Sequence, residues 1–239
     1  MARQDRIAVV RKATEIISFP DLEHQIGSIG FVEKMIIGQL LIVAQPKFVI
    51  ETGVFRGFTT KFVREFLKNN GLSGCRIAAF DRSDVIEELQ RDPYFASEKN
   101  IEMVGGPLPA SLKRRLEATE HMVDFAIVDA DHSYRGVTGD LKALAPHMRP
   151  GGYIFAHDYR TGDPEYEELI AAVDHFALTQ GFGILPLNPT EFGTQNVWGS
   201  AILRKPDGSR PSLSNHLYHQ TFGRVISRLK CSRLYRTPR

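Results

Sequence analysis

The chain has 239 residues, of which 42% are hydrophobic and 24% charged, values that fit a globular protein and exclude a disordered or fibrous one. Its two cysteines, Cys75 and Cys231, exclude a disulfide-stapled scaffold and suit a reducing cytoplasm. The net charge of +2 by itself calls for no polyanionic partner, and neither a signal-like apolar stretch near Met1 nor a membrane-length apolar window is present. Charge is unevenly spread. Residues 207–239 carry seven Lys/Arg against one Asp, a local charge of +6 that leaves about −4 for the rest.

At this length one continuous core is expected, burying roughly 70–75% of the unfolded surface. The expected organisation is a helical segment over residues 1–45 packing on a core at 46–205, followed by a basic extension at 206–239. Two helices precede residue 46. From there, apolar runs of strand length alternate with helix-period segments, the pattern of a parallel sheet covered on both faces. Strands are predicted at 47–52, 76–81, 101–104, 125–130 and 153–157, between punctuation such as Gln45-Pro46, Asn70-Gly71 and Pro150-Gly151-Gly152. Helices are predicted at about 57–69, 83–91, 108–119, 135–145 and 164–179. The rhythm then changes: 181–187 and 197–204 read as two strands with no helix between them, so an antiparallel pair closes the sheet. In the tail, Phe222, Val225 or Ile226, and Leu229 recur at helical spacing, which suggests a short amphipathic helix.

The loop after the first strand reads Glu51-Thr52-Gly53-Val54-Phe55-Arg56-Gly57. Glycines let the backbone turn sharply and approach a ligand. A dinucleotide fingerprint needs further glycines where Phe55 and Phe58 stand, and a Walker loop needs a Gly-Lys-Ser/Thr that is absent. An acidic residue with two glycines four apart suits a nucleoside without phosphates. The second strand ends at Asp81, placing a carboxylate where ribose hydroxyls sit in such folds; the alternative is a cap for the helix that starts near Ser83. Gly105-Gly106-Pro107 follows the third strand as either a plain turn or an approach to an adenine.

Strand four ends in Asp129-Ala130-Asp131-His132, and strand five in His157-Asp158. The carboxyl ends of adjacent parallel strands face one crevice, so Asp129, His132, His157 and Asp158 are expected to converge. Carboxylates with imidazoles suit a divalent cation such as Mg²⁺ or Mn²⁺.

In order and spacing, Glu51 to Gly57, Phe80-Asp81, Gly105 to Leu108 and Asp129-Ala130-Asp131 resemble class I S-adenosylmethionine-dependent methyltransferases. The nearest resemblance is to the metal-dependent O-methyltransferases of the caffeoyl-CoA, catechol and macrolide-sugar types, over roughly residues 25–205. It implies an α/β, Rossmann-like, doubly wound sheet of seven strands, mostly parallel with an antiparallel last strand and helices on both faces. It also implies a cofactor site of Glu51, Gly53, Gly57, Asp81, Gly106 and Asp129, with Glu51 and Gly53 near the methionine part and Asp81 on the ribose. The cofactor is then S-adenosyl-L-methionine, with Mg²⁺ or another divalent cation held by Asp129, His157 and Asp158. His132 matches the general base of the sugar-methylating branch. His157 stands where the relatives have Asp or Glu, which leaves open a softer metal or a metal-free site with His157 as the base.

The implied partner is a small-molecule hydroxyl acceptor such as a sugar, natural product or phenol, and a homodimer is expected because the relatives are often dimers. Two alternatives remain open. The basic tail, with Tyr218, Phe222 and Tyr235 among its cations, suits a nucleic-acid methyltransferase, although residues 129–134 lack the Asn/Asp-Pro-Pro-Tyr type motif of base-amino methylases. The other is a catalytically inactive protein that keeps the cofactor-binding fold.

Overall fold

The computed structural model describes residues 20, 29–187 and 199–208. One of the two helices expected before residue 46 is observed, α1 at Phe31–Ala44; the other, the tail helix and the loop 188–198 fall outside the described residues. The sheet strands are β1 (Phe48–Thr52), β2 (Arg76–Asp81), β3 (Ile101–Gly105), β4 (Val123–Val128), β5 (Met148–His157), β6 (Gly183–Leu187) and β7 (Ser200–Arg204). The intervening helices are α2 (Phe58–Asn69), α3 (Ser83–Leu89), α4 (Pro93–Ser97), α5 (Ala110–Glu117), α6 (Tyr134–Leu144) and α7 (Glu167–Gln180).

The seven strands lie in the order β3-β2-β1-β4-β5-β7-β6. Strands β1 to β5 pair in parallel, and β7 inserts antiparallel between β5 and β6. The closing antiparallel pair is therefore as expected, with the last strand in the inner position. Strands β1 and β4 are buried at every residue, which explains their unbroken apolar runs: a central parallel strand is covered on both faces.

Alternation along each strand splits the core into two layers. Ile50, Phe80, Ala126 and Val128 pack with Leu112, Leu141 and Phe176 on one side. Val49, Ile77, Phe125 and Ile127 pack with Ile37, Leu41, Phe62 and Phe66 on the other. At about 25 cal/mol per Å² of apolar surface removed from water, these two layers supply the main driving force for the fold.

Two boundaries differ from expectation for local reasons. The helix expected over 83–91 is observed as α3, ending at Leu89, and an additional short helix, α4, follows it, because Pro93 cannot continue a helix yet suits the first turn of a new one, where the Asp92 side chain accepts from the Tyr94 N–H at 2.8 Å. Strand β5 begins at Met148, so the Gly151-Gly152 pair lies within it instead of ending a loop. A side chain at Gly152 would come within 3.0 Å of the Asp124 carbonyl, and the β4–β5 register shifts between Val123 and Phe125. Glycine therefore serves there as a close-approach residue inside a strand.

The carboxyl ends of β1 and β4 lie side by side at the centre of the sheet, with their following connections leaving towards opposite edges. That is the topological switch point where open α/β sheets bind ligands.

Candidate active site

One cavity of about 900 Å³ opens at this switch point, lined by Gly53, Asp81 and Gly106 and also by Asp129, His132 and Asp158. The loop after β1 is held from β2. Asp81 Oδ2 accepts the N–H groups of Val54 at 2.9 Å and Phe55 at 2.8 Å, while its Oδ1 accepts from the Arg82 N–H at 2.7 Å. Asp81 is not the cap of α3: the capping position is Arg82, and no side chain caps that helix. Phe55 adopts a φ of 50°, in the left-handed region, with its ring exposed at the cavity. Such backbone strain in a non-glycine residue gathers at ligand sites.

The glycines of this loop serve different ends. A Cβ on Gly53 would overlap the Asp129 carbonyl oxygen and come within 2.7 Å of the Ala130 Cα. Glycine is required there by the neighbouring strand end as well as by the cavity it lines. Gly57 does not line the cavity; a Cβ on it would run into the Phe95 ring, and its φ of 74° begins α2. Gly106, with φ 138°, lines the cavity. Glu51 lies beneath the loop, 1% exposed, and accepts from the Thr60 hydroxyl at 2.6 Å. Burial, reinforced by the charges of Asp129 and Asp81 and only partly opposed by the Thr60 hydrogen bond, pushes its carboxyl up to about 8. Glu51 is thus a neutral structural acid at pH 7, placed under the site and not on its wall.

At the ends of β4 and β5 four side chains meet. His157 Nδ1 lies 3.0 Å from Asp129 Oδ1 and 3.4 Å from Asp158 Oδ2, and its Nε2 lies 3.5 Å from Glu33 Oε2. His132 Nε2 lies 3.2 Å from Asp158 Oδ2, and Arg160 Nη2 lies 2.5 Å from Asp158 Oδ1. Asp158 follows β5 with a φ of 57°, a conformation that Asp tolerates better than most residues and that turns the chain sharply at the cavity. The His132 ring packs against Tyr166, which also packs against the Arg160 guanidinium, 4.2 Å from its ring centre.

Acidic and basic groups face one another throughout this cluster. Burial opposes charge on His157, but Asp129, then Asp158 and Glu33, raise its pKa well above the ordinary imidazole value. Burial likewise works against ionised Asp158, yet hydrogen bonds from His132 and His157 and the Arg160 charge hold it well below the carboxylate range. His132 is raised by its hydrogen bond to Asp158, against partial burial.

Ligand atoms of Asp129, His132 and Asp158 lie within 4.8 Å of one another, so these three can hold a divalent cation. This grouping differs from the expected set. His157, read from the sequence as the ligand beside Asp129 and Asp158, also borders the cavity, but it is nearly buried and both its ring nitrogens face carboxylates. His132, read as a base, is the more open of the two imidazoles that line the cavity, 41% exposed against 9% for His157.

Two participants were missed in the sequence. Arg160 neutralises Asp158, and Glu33, from α1, meets His157 from behind. Glu33 does carry a signal, as the lone acid in the apolar segment Phe31–Ala44.

Residues 50–159 match the family model described as "Methyltransferase domain". Over this segment, a little under half of the chain, the sequence is similar to methyltransferase domains. The match runs from within β1 to two residues past β5, and so contains Asp81, Asp129, His132 and Asp158 but not Glu33 or Arg160. Among curated proteins nothing matches the sequence.

Solved structures share the fold of this protein. An O-methyltransferase from Bacillus cereus in complex with SAH is 15% identical, aligned over 86% of this chain and 92% of its own, with a TM-score of 0.58. The O-methyltransferase TomG from Streptomyces achromogenes, involved in tomaymycin synthesis and solved with SAM, is 12% identical over 86% of this chain and all of its own, at 0.59. A putative caffeoyl-CoA O-methyltransferase from Staphylococcus aureus is 14% identical over 84% of this chain and 94% of its own, at 0.56. At these identities the likeness establishes the Rossmann-like, seven-stranded methyltransferase fold. Among the described residues no helix is long and apolar enough to cross a membrane.

Proposed function

We propose that this methyltransferase transfers a methyl group from S-adenosylmethionine to a hydroxyl oxygen of a small molecule. The observation that carries the reading is that one cavity is lined both by Gly53, Asp81 and Gly106 and by the Asp129, His132 and Asp158 cluster. It therefore offers nucleoside-binding chemistry and proton-handling chemistry together.

The residues present fit the cofactor. Asp81 offers a carboxylate to a ribose diol, Val85 and Leu108 offer apolar walls to a base, and Asp129 and Asp131 place negative charge where a sulfonium is to be accommodated. When bound, the cofactor supplies an activated methyl group on a good thioether leaving group. What is left to the protein is presenting the acceptor oxygen and taking its proton.

His132 is the residue for that task. It lies on the cavity, half exposed, and Asp158 orients its Nε2 as a carboxylate orients the imidazole in other His-dependent catalysts. Arg160 and His157 keep Asp158 ionised for this role. The three-ligand grouping of Asp129, His132 and Asp158 favours a second reading, in which the same side chains hold a divalent cation. One nitrogen and two carboxylates suit Mg²⁺ or Mn²⁺, which when bound lowers the pKa of a hydroxyl it polarises. The partner in either case is a hydroxylated small molecule such as a catechol, sugar or related natural product.

The test is calorimetric titration with S-adenosylhomocysteine, followed by detection of S-adenosylhomocysteine release from S-adenosylmethionine with catechols and hydroxylated sugars as acceptors. Binding without NAD or ATP competition and acceptor-dependent release are expected. Tighter binding of NAD than of S-adenosylhomocysteine overturns the reading.

A further inference from the structure

Glu33 lies outside the residues that match the methyltransferase family, on α1, yet it is fully buried against the cluster. The antiparallel pairing of β7 with β5 sets Ser200 directly opposite His157. Glu33 reaches both. Its Oε1 accepts from the Ser200 hydroxyl at 2.5 Å, and its Oε2 accepts from the Gly30 N–H at 3.0 Å and lies 3.5 Å from His157 Nε2. On its far side the same ring faces Asp129 and Asp158. Three carboxylates from three separate parts of the chain therefore surround one imidazole, and Ser200 fixes the one furthest from the cavity.

We infer that Glu33 is a positioning residue of the active site, holding the His157 ring so that Nδ1 is directed at Asp129 and Asp158. The inference rests on the proposed reading of Asp129, His132 and Asp158 as the acceptor end of the cavity. Its physical basis is geometric. A histidine ring can rotate about its side-chain bonds, and two separated contact points on opposite nitrogens remove that freedom, as outer partners do for imidazoles in other sites. With Glu33 at Nε2, the ring presents Nδ1 to the pair of carboxylates next to the cavity. Without it, the ring is anchored on one side only.

Glu33 also has a plain structural role, since it sits three residues after the cap Gly30 and forms a capping box with it. The two roles separate by substitution. Glu33→Gln keeps an oxygen that can accept from the Gly30 N–H, because Gln serves at this position of a capping box, but it removes the charge facing His157. Glu33→Asp keeps the charge and withdraws it by one methylene.

The test is proton–nitrogen NMR of the His157 ring, with its signals identified by their absence in His157→Asn, beside thermal unfolding and S-adenosylhomocysteine calorimetry on the full chain. In the native protein a solvent-protected Nε2–H signal is expected. In Glu33→Gln that signal shifts and broadens, and in Glu33→Asp it is lost, while the affinity for S-adenosylhomocysteine stays within about twofold. Ring signals identical to native in both variants, with only the melting temperature lowered, reduce Glu33 to a helix cap and overturn the inference. A tenfold loss of S-adenosylhomocysteine affinity in Glu33→Gln overturns it as well, by showing that Glu33 supports the cofactor end. If the native protein itself binds no S-adenosylhomocysteine, it is the proposed function that fails, and the ring signals still decide the role of Glu33.

Discussion

Gly53 and Asp129 meet backbone to backbone, so closely that a Cβ on Gly53 would overlap the Asp129 carbonyl. The tip of the β1 loop and the end of β4 are thereby locked together, and this contact sets Asp129 beside the β1 loop on the wall of the cavity. Gly53→Ala is expected to lower stability by roughly 2–4 kcal/mol, because it combines positive-φ strain with overpacking. Chemical denaturation gives the measurement. A native-like stability would show that the loop yields without cost.

Asp81 supports the same loop from the other side, accepting from both Val54 and Phe55. Hydrogen bonds to a charged group contribute about 1.5–3 kcal/mol each. Asp81→Ala should therefore weaken S-adenosylhomocysteine binding by about tenfold to a hundredfold, partly through lost ligand contacts and partly through a released loop. Since Asp81 caps no helix, α3 should survive the change. Calorimetry with unchanged affinity would remove Asp81 from the cofactor site.

Glu51 supplies a pH prediction. Its carboxyl has an ordinary value of 4.5 and is pushed up to about 8 in the folded protein. Below 4.5 both folded and unfolded forms are protonated, and the neutral Glu51 contributes fully to stability. As pH rises towards 8, the unfolded chain ionises first, so folding takes up a proton and this contribution falls, by at most about 1.4 kcal/mol per pH unit. Glu51→Gln, which keeps an oxygen for the Thr60 hydroxyl, removes the dependence. The variant's stability relative to the native protein should rise between pH 5 and pH 8; a constant difference across that window would mean Glu51 is ionised when folded.

His132 and the cation question can be resolved together. His132→Ala should lower turnover by about 10²–10⁴, the range for loss of a general base. If the cation reading holds, excess chelator and Asp129→Ala each suppress turnover and His132→Ala also lowers metal content, because His132 belongs to the ligand grouping. Full turnover in chelator with an inactive His132→Ala leaves His132 as base alone.

His157→Asp gives the complementary case. It restores the carboxylate expected of metal-dependent relatives but places a fourth acid beside Glu33, Asp129 and Asp158 in place of the His157 ring between them. The variant should be destabilised without metal and regain stability with Mg²⁺, read as a melting-temperature rise on titration. No rise with Mg²⁺ or Mn²⁺ would indicate that the cluster does not bind cations in this arrangement.

The sequence by itself determined the α/β class, the strand-turn-helix setting of Glu51 to Gly57, and the arrival of Asp81, Asp129, His132, His157 and Asp158 at one sheet edge. These are consequences of chain-local pattern: continuous apolar runs make buried parallel strands, and parallel strands present their carboxyl ends together. The tertiary structure alone decided what each group does there. Gly57 proved to make room for Phe95 and Gly53 to make room for Asp129, because a glycine's neighbour across a fold leaves no mark on its own segment. His157 and His132 are equivalent as residue types, but only packing buries one among three carboxylates and leaves the other open to the cavity. Glu33 and Ser200 are 167 residues apart, and their contact exists because α1 lies over the sheet where β7 enters beside β5. Periodicity specifies which face of an element is buried; it carries no information about which distant element will cover that face, and the roles of these charged groups depend on that partner.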